Sequence, residues 1–535
     1  MNMDLLLIGL ATLATVLRIL ALIGVSIVSG WVLAYLCIKH RSFENVYIPI
    51  VNAFESIPVI AFLPIVLVVF ISSIGGSLGV EIAADFLVFD AVSWNIWIGT
   101  YQAFKTVPGS LVEVAHNYKF STWEKLGKLY IPHSFPRITS NLFSSFADAL
   151  FYISVSEVFI VGVTTYHTFG IGTLIAQYLQ QSATTSVLYC LLSIAVAVIA
   201  MTIIFSKLSR IAISKYGLNT NMAINHKKYM NYKLRRMVRE GVIARLASKF
   251  RRHPSKVVEK ESKGLSGSVL KYGTYLIFIL IAMYLIYGSY RLVASVPMSQ
   301  WNALFSETPS MLYGMGVDYV RVLLITLVSL AFAITVGYFL ASRPKTNVIV
   351  TPIMQVFAAF PAPTYFPLLF IATLPILSAF LPVCYSEIYI FALGFLACFY
   401  YVFFDFWVGV QAIPSEFWEV MKNYEMSFSQ KMRKIILPAS FPYLITGISS
   451  TINSAWAGLA IGEYWPNIFG SHSLETKVGM MRFISVNIAS GNITAAAYVS
   501  LIFAIVVIIY SFVFTRNMMD LARKKYVVEE GIYAA

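Results

Sequence analysis

The fold turns on two stretches, EVAHNYKFSTWEKLGKLYIPHSFP at 113–136 and EVMKNYEMSFSQKMRKIILPASFP at 419–442. They lie 306 residues apart, and at that offset 108–136 aligns with 414–442 without a gap. Twelve of 29 positions are identical, from Pro108/Pro414 through Glu113/Glu419, Asn117/Asn423, Tyr118/Tyr424 and Pro132/Pro438 to Pro136/Pro442. The same offset pairs Glu157 with Glu463, and an offset of 303 upstream pairs Arg18 with Arg321 and Pro58 with Pro361. A repeat on this scale means two copies of one structural unit. Each loop is too polar to span a membrane and too patterned for a slack linker. It has room for two short helices, with Pro136 and Pro442 suited to starting the next element.

Around these loops the chain is apolar. Of 535 residues, 58% are hydrophobic and 12% charged, with a mean hydropathy of +0.75. That is about half the charge of a soluble domain and too much apolar surface for a disordered one. The expected fold is an all-α polytopic membrane protein. Eleven stretches are apolar enough to cross: 14–38, 48–73, 87–104, 137–162, 186–206, 272–290, 319–341, 348–379, 386–410, 443–465 and 493–515. No basic stretch precedes the first, so a cleaved signal peptide is not expected. Residues 206–265 carry +13 of the net +14. Placing them inside puts the N-terminus outside, the C-terminus in the cytoplasm and both repeated loops inside. Six spans between the loops make the repeats parallel, with a path expected at their interface. The division is a first half 1–210, a basic linker 211–270, a second half 271–518 and a tail 519–535. The linker reads as a segment near anionic membrane lipid, not as a nucleic-acid site. No Walker A sequence, no His-Glu-x-x-His and no Cys-x-x-Cys occurs, so neither a nucleotide site, catalytic residues nor a metal site is expected on the chain.

The repeated loop resembles the EAA loop of the membrane subunits of binding-protein-dependent ABC importers, which runs Glu-Ala-Ala, three residues, Gly, and closes on Leu-Pro with a further Pro. Lys119 and Glu425 stand where that pattern has Gly, so a turn of different form, helped by Asn117 and Asn423, is expected. The resemblance implies a coupling helix seated in a groove of an ATPase, with Glu113, Ala115, Asn117, Tyr118, Pro132, Glu419, Asn423, Tyr424 and Pro438 as coupling residues. It implies two copies of an ABC ATPase subunit holding ATP and Mg, no cofactor on this chain, and an extracellular solute-binding protein. The run SAWAGLAIGEYW from Ser454 is similar to the nitrate, sulfonate, taurine and bicarbonate branch, which implies a small anion. Fused permeases for ferric iron or thiamine share two such loops, and a secondary transporter with parallel repeats is the rival from another class.

Candidate pathway or gate residues are the ionisable and polar groups within spans. Glu157 and Glu463 read as a gating or docking pair, or as solvated helix ends. Arg18 and Arg321 could meet an anion, anchor a helix end or form an internal ion pair. Asp148, Ser154, Asn453 and Ser454, with Trp456 nearby, could line a cavity or bond between helices.

Overall fold

The computed structural model describes residues 2–216 and 296–525, apart from 56, 67–69, 72, 73, 162, 163 and 412, with isolated positions between 276 and 294. Of the span expected at 272–290 only isolated positions are described, and nearly all of the linker falls outside these residues.

In the first half, α1 (Asn2–Lys39) is followed by α2 (Arg41–Glu55), short turns at 59–66, and α3 (Gly76–Lys105). The repeated loop holds α4 (Gly109–Asn117) and α5 (Thr122–Lys125). A π-helical turn, Leu126–Tyr130, then leads straight into α6 (Ile131–Ser156). A hairpin of β1 (Val158–Val161) and β2 (Thr164–His167) precedes α7 (Ile171–Gln180) and α8 (Thr184–Tyr216). The second half repeats this order: α9 (Met298–Phe332) and α10 (Tyr338–Ala341), joined by a π-helical turn, then α11 (Pro344–Ala359), α12 (Ala362–Phe380) and α13 (Tyr385–Gln411). Its loop holds α14 (Ser415–Asn423), α15 (Phe428–Lys431), the π turn Met432–Ile436 and α16 (Leu437–Gly462). The hairpin β3 (Tyr464–Phe469) and β4 (His472–Glu475), α17 (Met480–Ala489) and α18 (Ile493–Lys525) complete it.

Among the described residues eight helices are long and apolar enough to cross a membrane, against the eleven stretches read from sequence. The differences have local causes. The stretch 48–73 is broken near Pro58 and Pro64, where the chain loses backbone donors. The stretch 348–379 is two helices parted at Phe360 and Pro361, because the residue before a proline is driven out of the helical region. The stretch 137–162 is α6, whose polar residues lower its hydropathy, and β1 follows it. Two short antiparallel hairpins join an otherwise helical fold. The tail is helical as far as Lys525, since α18 runs past the expected end at 515.

The halves exchange parts. Ile57, Val59 and Leu63 of the first half pack into the second-half core around Trp456 and Phe503. Ala359 and Phe469 of the second half pack into the first-half core. At the tip of the second hairpin, Gly470 donates its backbone N–H to Leu179 O at 2.9 Å. Parallel halves held by mutual insertion place their polar side chains along a shared seam.

Candidate functional site

Each repeated loop folds the same way. Leu111, Val114 and Tyr118 stand at i, i+3 and i+7 along α4 and its C-terminal cap, and all are exposed; Phe417, Val420 and Tyr424 repeat the stripe on α14. That spacing puts each set on one helical face. Tyr118 and Tyr424 are 75% and 78% exposed. Each stripe is apolar and exposed on an otherwise polar loop. Ala115 is buried beneath it, and Met421 fills the matching place. Glu113, Asn117, Glu419 and Asn423 are exposed beside the stripes.

The turn is not of a different form. Lys119 and Glu425 adopt φ of 51° and 46°. This is the left-handed region, which glycine would occupy without strain. Each turn closes on a backbone bond, Phe120 N to Ala115 O or Met426 N to Met421 O. The next helix opens on a reciprocal capping box, Ser121 with Glu124 and Ser427 with Gln430, which satisfies two free backbone donors at once. Hydrogen bonds from Lys128, and then from Ser121, hold the Glu124 carboxyl down at about 2. Pro132, Pro136, Pro438 and Pro442 lie inside helices that have already begun. The π turns account for this. Ile131 N bonds Leu126 O and Leu437 N bonds Met432 O. Each bond reaches one residue further back than in an α-helix, just before a proline that donates nothing.

A second duplicated cluster lies at the other end of α6 and α16. Glu157 and Glu463 are fully buried, so neither is a solvated helix end. Arg18 Nη1 meets Glu157 Oε1 at 2.8 Å, and its other nitrogens meet Glu81 at 2.8 Å and Asp85 at 3.2 Å. Arg321 Nη1 meets Glu463 Oε1 at 3.0 Å and Asp318 Oδ1 at 2.7 Å, while its fork grips Glu387 at 2.6 and 2.8 Å. Both arginines are therefore in internal ion pairs. The carboxylates also cap the following helices. Gly172 N donates to Glu157 Oε2 at 2.7 Å. Arg482 N donates to Glu463 Oε2 at 2.9 Å and Met480 N to Asp318 Oδ2 at 2.6 Å. A negative group at a helix N-terminus is favoured by the helix dipole. Sequence reasoning missed Thr15, Glu81, Asp318 and Glu387. The same offsets reach them, since 306 pairs Glu81 with Glu387 and 303 pairs Thr15 with Asp318.

Between the two ends, α6 carries Arg137, Ser140, Asn141, Ser144 and Asp148 on one helical face, the first two exposed. Asp148 closes the stripe. It accepts from Asn95 Nδ2 at 2.7 Å, and from the Tyr401 hydroxyl of the second half. Tyr401 also bonds Ser454. At the offset of 306, Asn95 matches Tyr401 and Asp148 matches Ser454, so four equivalent positions meet where the halves touch. Asn453 is half-buried next to Ser454. Ser154 lies in α6, and its side chain is outside the described residues. Trp456 is not on this seam: it is buried in the second-half core, its ring 5.0 Å from those of Tyr319 and Phe503.

Residues 26–215 and 333–524 each match the family described as binding-protein-dependent transport system inner membrane component. Curated relatives match more narrowly. An aliphatic sulfonates transport permease protein of Bacillus subtilis is 32% identical over 78 residues, 15% of this chain and 27% of that one. A nitrate import permease protein of Leptolyngbya laminosa is 31% identical over 117 residues, 21% of this chain and 39% of the other. A bicarbonate transport system permease protein of Synechococcus elongatus is 34% identical over 55 residues, 10% and 20% of the respective chains. These matches span well under half the length of each relative. The two family matches together cover most of this chain, which is a multi-pass membrane permease component and not itself catalytic: it belongs to the binding-protein-dependent transport system inner membrane components and carries their domain twice.

Proposed function

We propose that this one chain forms the solute path of an ABC importer, with two copies of one ATPase subunit on the loops 108–136 and 414–442. The observation that carries the reading is the repeated exposed stripe, Leu111, Val114 and Tyr118 with Phe417, Val420 and Tyr424. Two like surfaces suit two like grooves, and ATP with Mg sits on the partner. The basic linker 211–270 and the tail lie inside on this reading, and an extracellular solute-binding protein meets the face bearing the two hairpins. ATP acts by shifting the balance between inward- and outward-facing states, because a ligand moves an equilibrium only by its differential affinity for the two. The solute is a small molecule with an anionic group, of the nitrate or sulfonate kind. Support comes from the relatives' names and from the hydroxyl and amide stripe on α6 below Asp148, which begins at Arg137. Arg18 and Arg321 give no support, being occupied by carboxylates. The test is co-purification: the tagged chain should retain its ATPase, and Glu113→Ala with Glu419→Ala should weaken that retention or uncouple hydrolysis from uptake. Full retention with normal uptake in the double variant contradicts the coupling assignment.

A further inference from the structure

The polar face of α6 has a counterpart on α16. Ser140, Ser144 and Asp148 stand four residues apart along α6, and at the offset of 306 they match Thr446, Ser450 and Ser454 on α16. Four-residue steps keep each set on one face of its helix. Exposure falls alike along both. Ser140 and Thr446, nearest the repeated loops, are exposed, whereas Ser144, Ser450, Asp148 and Ser454 are half-buried. Beyond them, 149–151 and 455–463 are buried. The opening on the loop side therefore ends at one level in both halves, the level of Asp148 and Ser454.

At that level the halves are bonded. Asn95 Nδ2 donates to Asp148 Oδ2 at 2.7 Å, and the Tyr401 hydroxyl of the second half donates to Asp148 Oδ1. Asn95 and Tyr401 are equivalent positions of the repeat. Two equivalent side chains can hold one carboxyl only close to the axis that relates the halves. For parallel repeats that axis runs along the membrane normal, through the path between them. The contact therefore stands in the path. The Arg18 and Arg321 clusters differ, since each is held within its own half. We infer that the bond between Tyr401 and Asp148 is a gate of the path, closed in this structure, and that it parts when the partner ATPase closes on ATP. The inference rests on the reading of this chain as an importer permease. Nothing on the axis passes while the bond holds. Losing the Tyr401 hydroxyl removes a bond made only in the closed state, and so favours the open one.

The experiment uses the full chain with its ATPase, purified through a tag on this chain and placed in lipid nanodiscs without a binding protein. Cys384→Ser removes the exposed native cysteine; Cys37, Cys190 and Cys398 are buried. In that background Asp148→Cys with Tyr401→Cys is treated with a short bis-methanethiosulfonate, with and without ATP and vanadate. Bridging should occur in the nucleotide-free complex and be lost with ATP and vanadate. In parallel, Tyr401→Phe should raise ATP hydrolysis about tenfold, the factor expected of one hydrogen bond to a charged group. Equal bridging in both conditions marks a permanent strut between the halves and overturns the inference, as does bridging in neither condition or with nucleotide alone. Unchanged or slower hydrolysis in Tyr401→Phe overturns it as well. A chain that purifies without any ATPase contradicts the proposed function itself, and the inference falls with it.

Discussion

At the scale of single residues, two positions in the repeated loops carry backbone strain, as Ser182 and Asn467 do elsewhere, and two glycines sit in close approach. Lys119 and Glu425 hold φ of 51° and 46° with a full side chain. Each costs on the order of 1–2 kcal/mol. Glu425→Gly should therefore keep ATPase coupling, while Glu425→Val, whose branched Cβ fits that region worst, should lose stability by a similar amount and loosen the loop; thermal unfolding and ATPase retention would show the contrast. Gly170 and Gly479 are extended, so their demand is space. A Cβ on Gly170 would overlap Glu157 Oε1, and one on Gly479 would overlap Glu463 Oε2. Gly479→Ala should displace the buried carboxylate from Arg321 and cost about 2 kcal/mol or more. Arg321→Met, which strands Asp318 and Glu463, should cost about 3–5 kcal/mol. Denaturation of each purified variant measures both. Arg18 with Arg321, Glu81 with Glu387 and Glu157 with Glu463 are legible as duplicated charges, whereas Asp318, opposite Thr15, is not. Their depth is not, because burial depends on helices that the offset aligns but cannot pack.

At the scale of elements, sequence periodicity locates the helices better than their ends. For want of glycine the loop's turn is expected to differ, yet a backbone bond from Phe120 to Ala115 builds the same turn at the price of strain. The prolines read as helix starts, whereas the π turns before Pro132 and Pro438 let the helices run through. The hairpins leave no mark in composition: β1 is four residues of an apolar run that continues α6. Their role is visible in contact. A Cβ on Gly470 would stand 3.9 Å from Ser182 Cβ, within the range of a disulfide. Gly470 has a φ of 58°, so a cysteine there carries some backbone strain. The double variant Gly470→Cys with Ser182→Cys should crosslink on oxidation and join the second hairpin to the end of α7. Uptake should fall in the oxidised form and return with reductant, as followed by labelled solute in proteoliposomes. Unchanged uptake in the fully crosslinked protein would place the hairpin outside the moving parts.

For the whole molecule, the duplication is the most legible feature, since two copies of one loop at one offset require two like halves. The exchange of parts between halves is not legible, because an apolar stretch such as 48–73 gives no sign of which core it enters. Through that exchange each half contributes residues to the other's core, and the exposed stripes and the buried arginine clusters lie at opposite ends of α6 and α16. The charge asymmetry between loops, Lys119 against Glu425, leaves both turns exposed and both stripes intact. Both loops should therefore hold an ATPase, with Glu113→Ala and Glu419→Ala differing in degree. The most direct measurement is native mass spectrometry of the complex purified through a tag on this chain. The expected mass is one copy of this chain with two copies of one ATPase subunit. A complex holding a single ATPase copy, or two copies of this chain, would contradict the account.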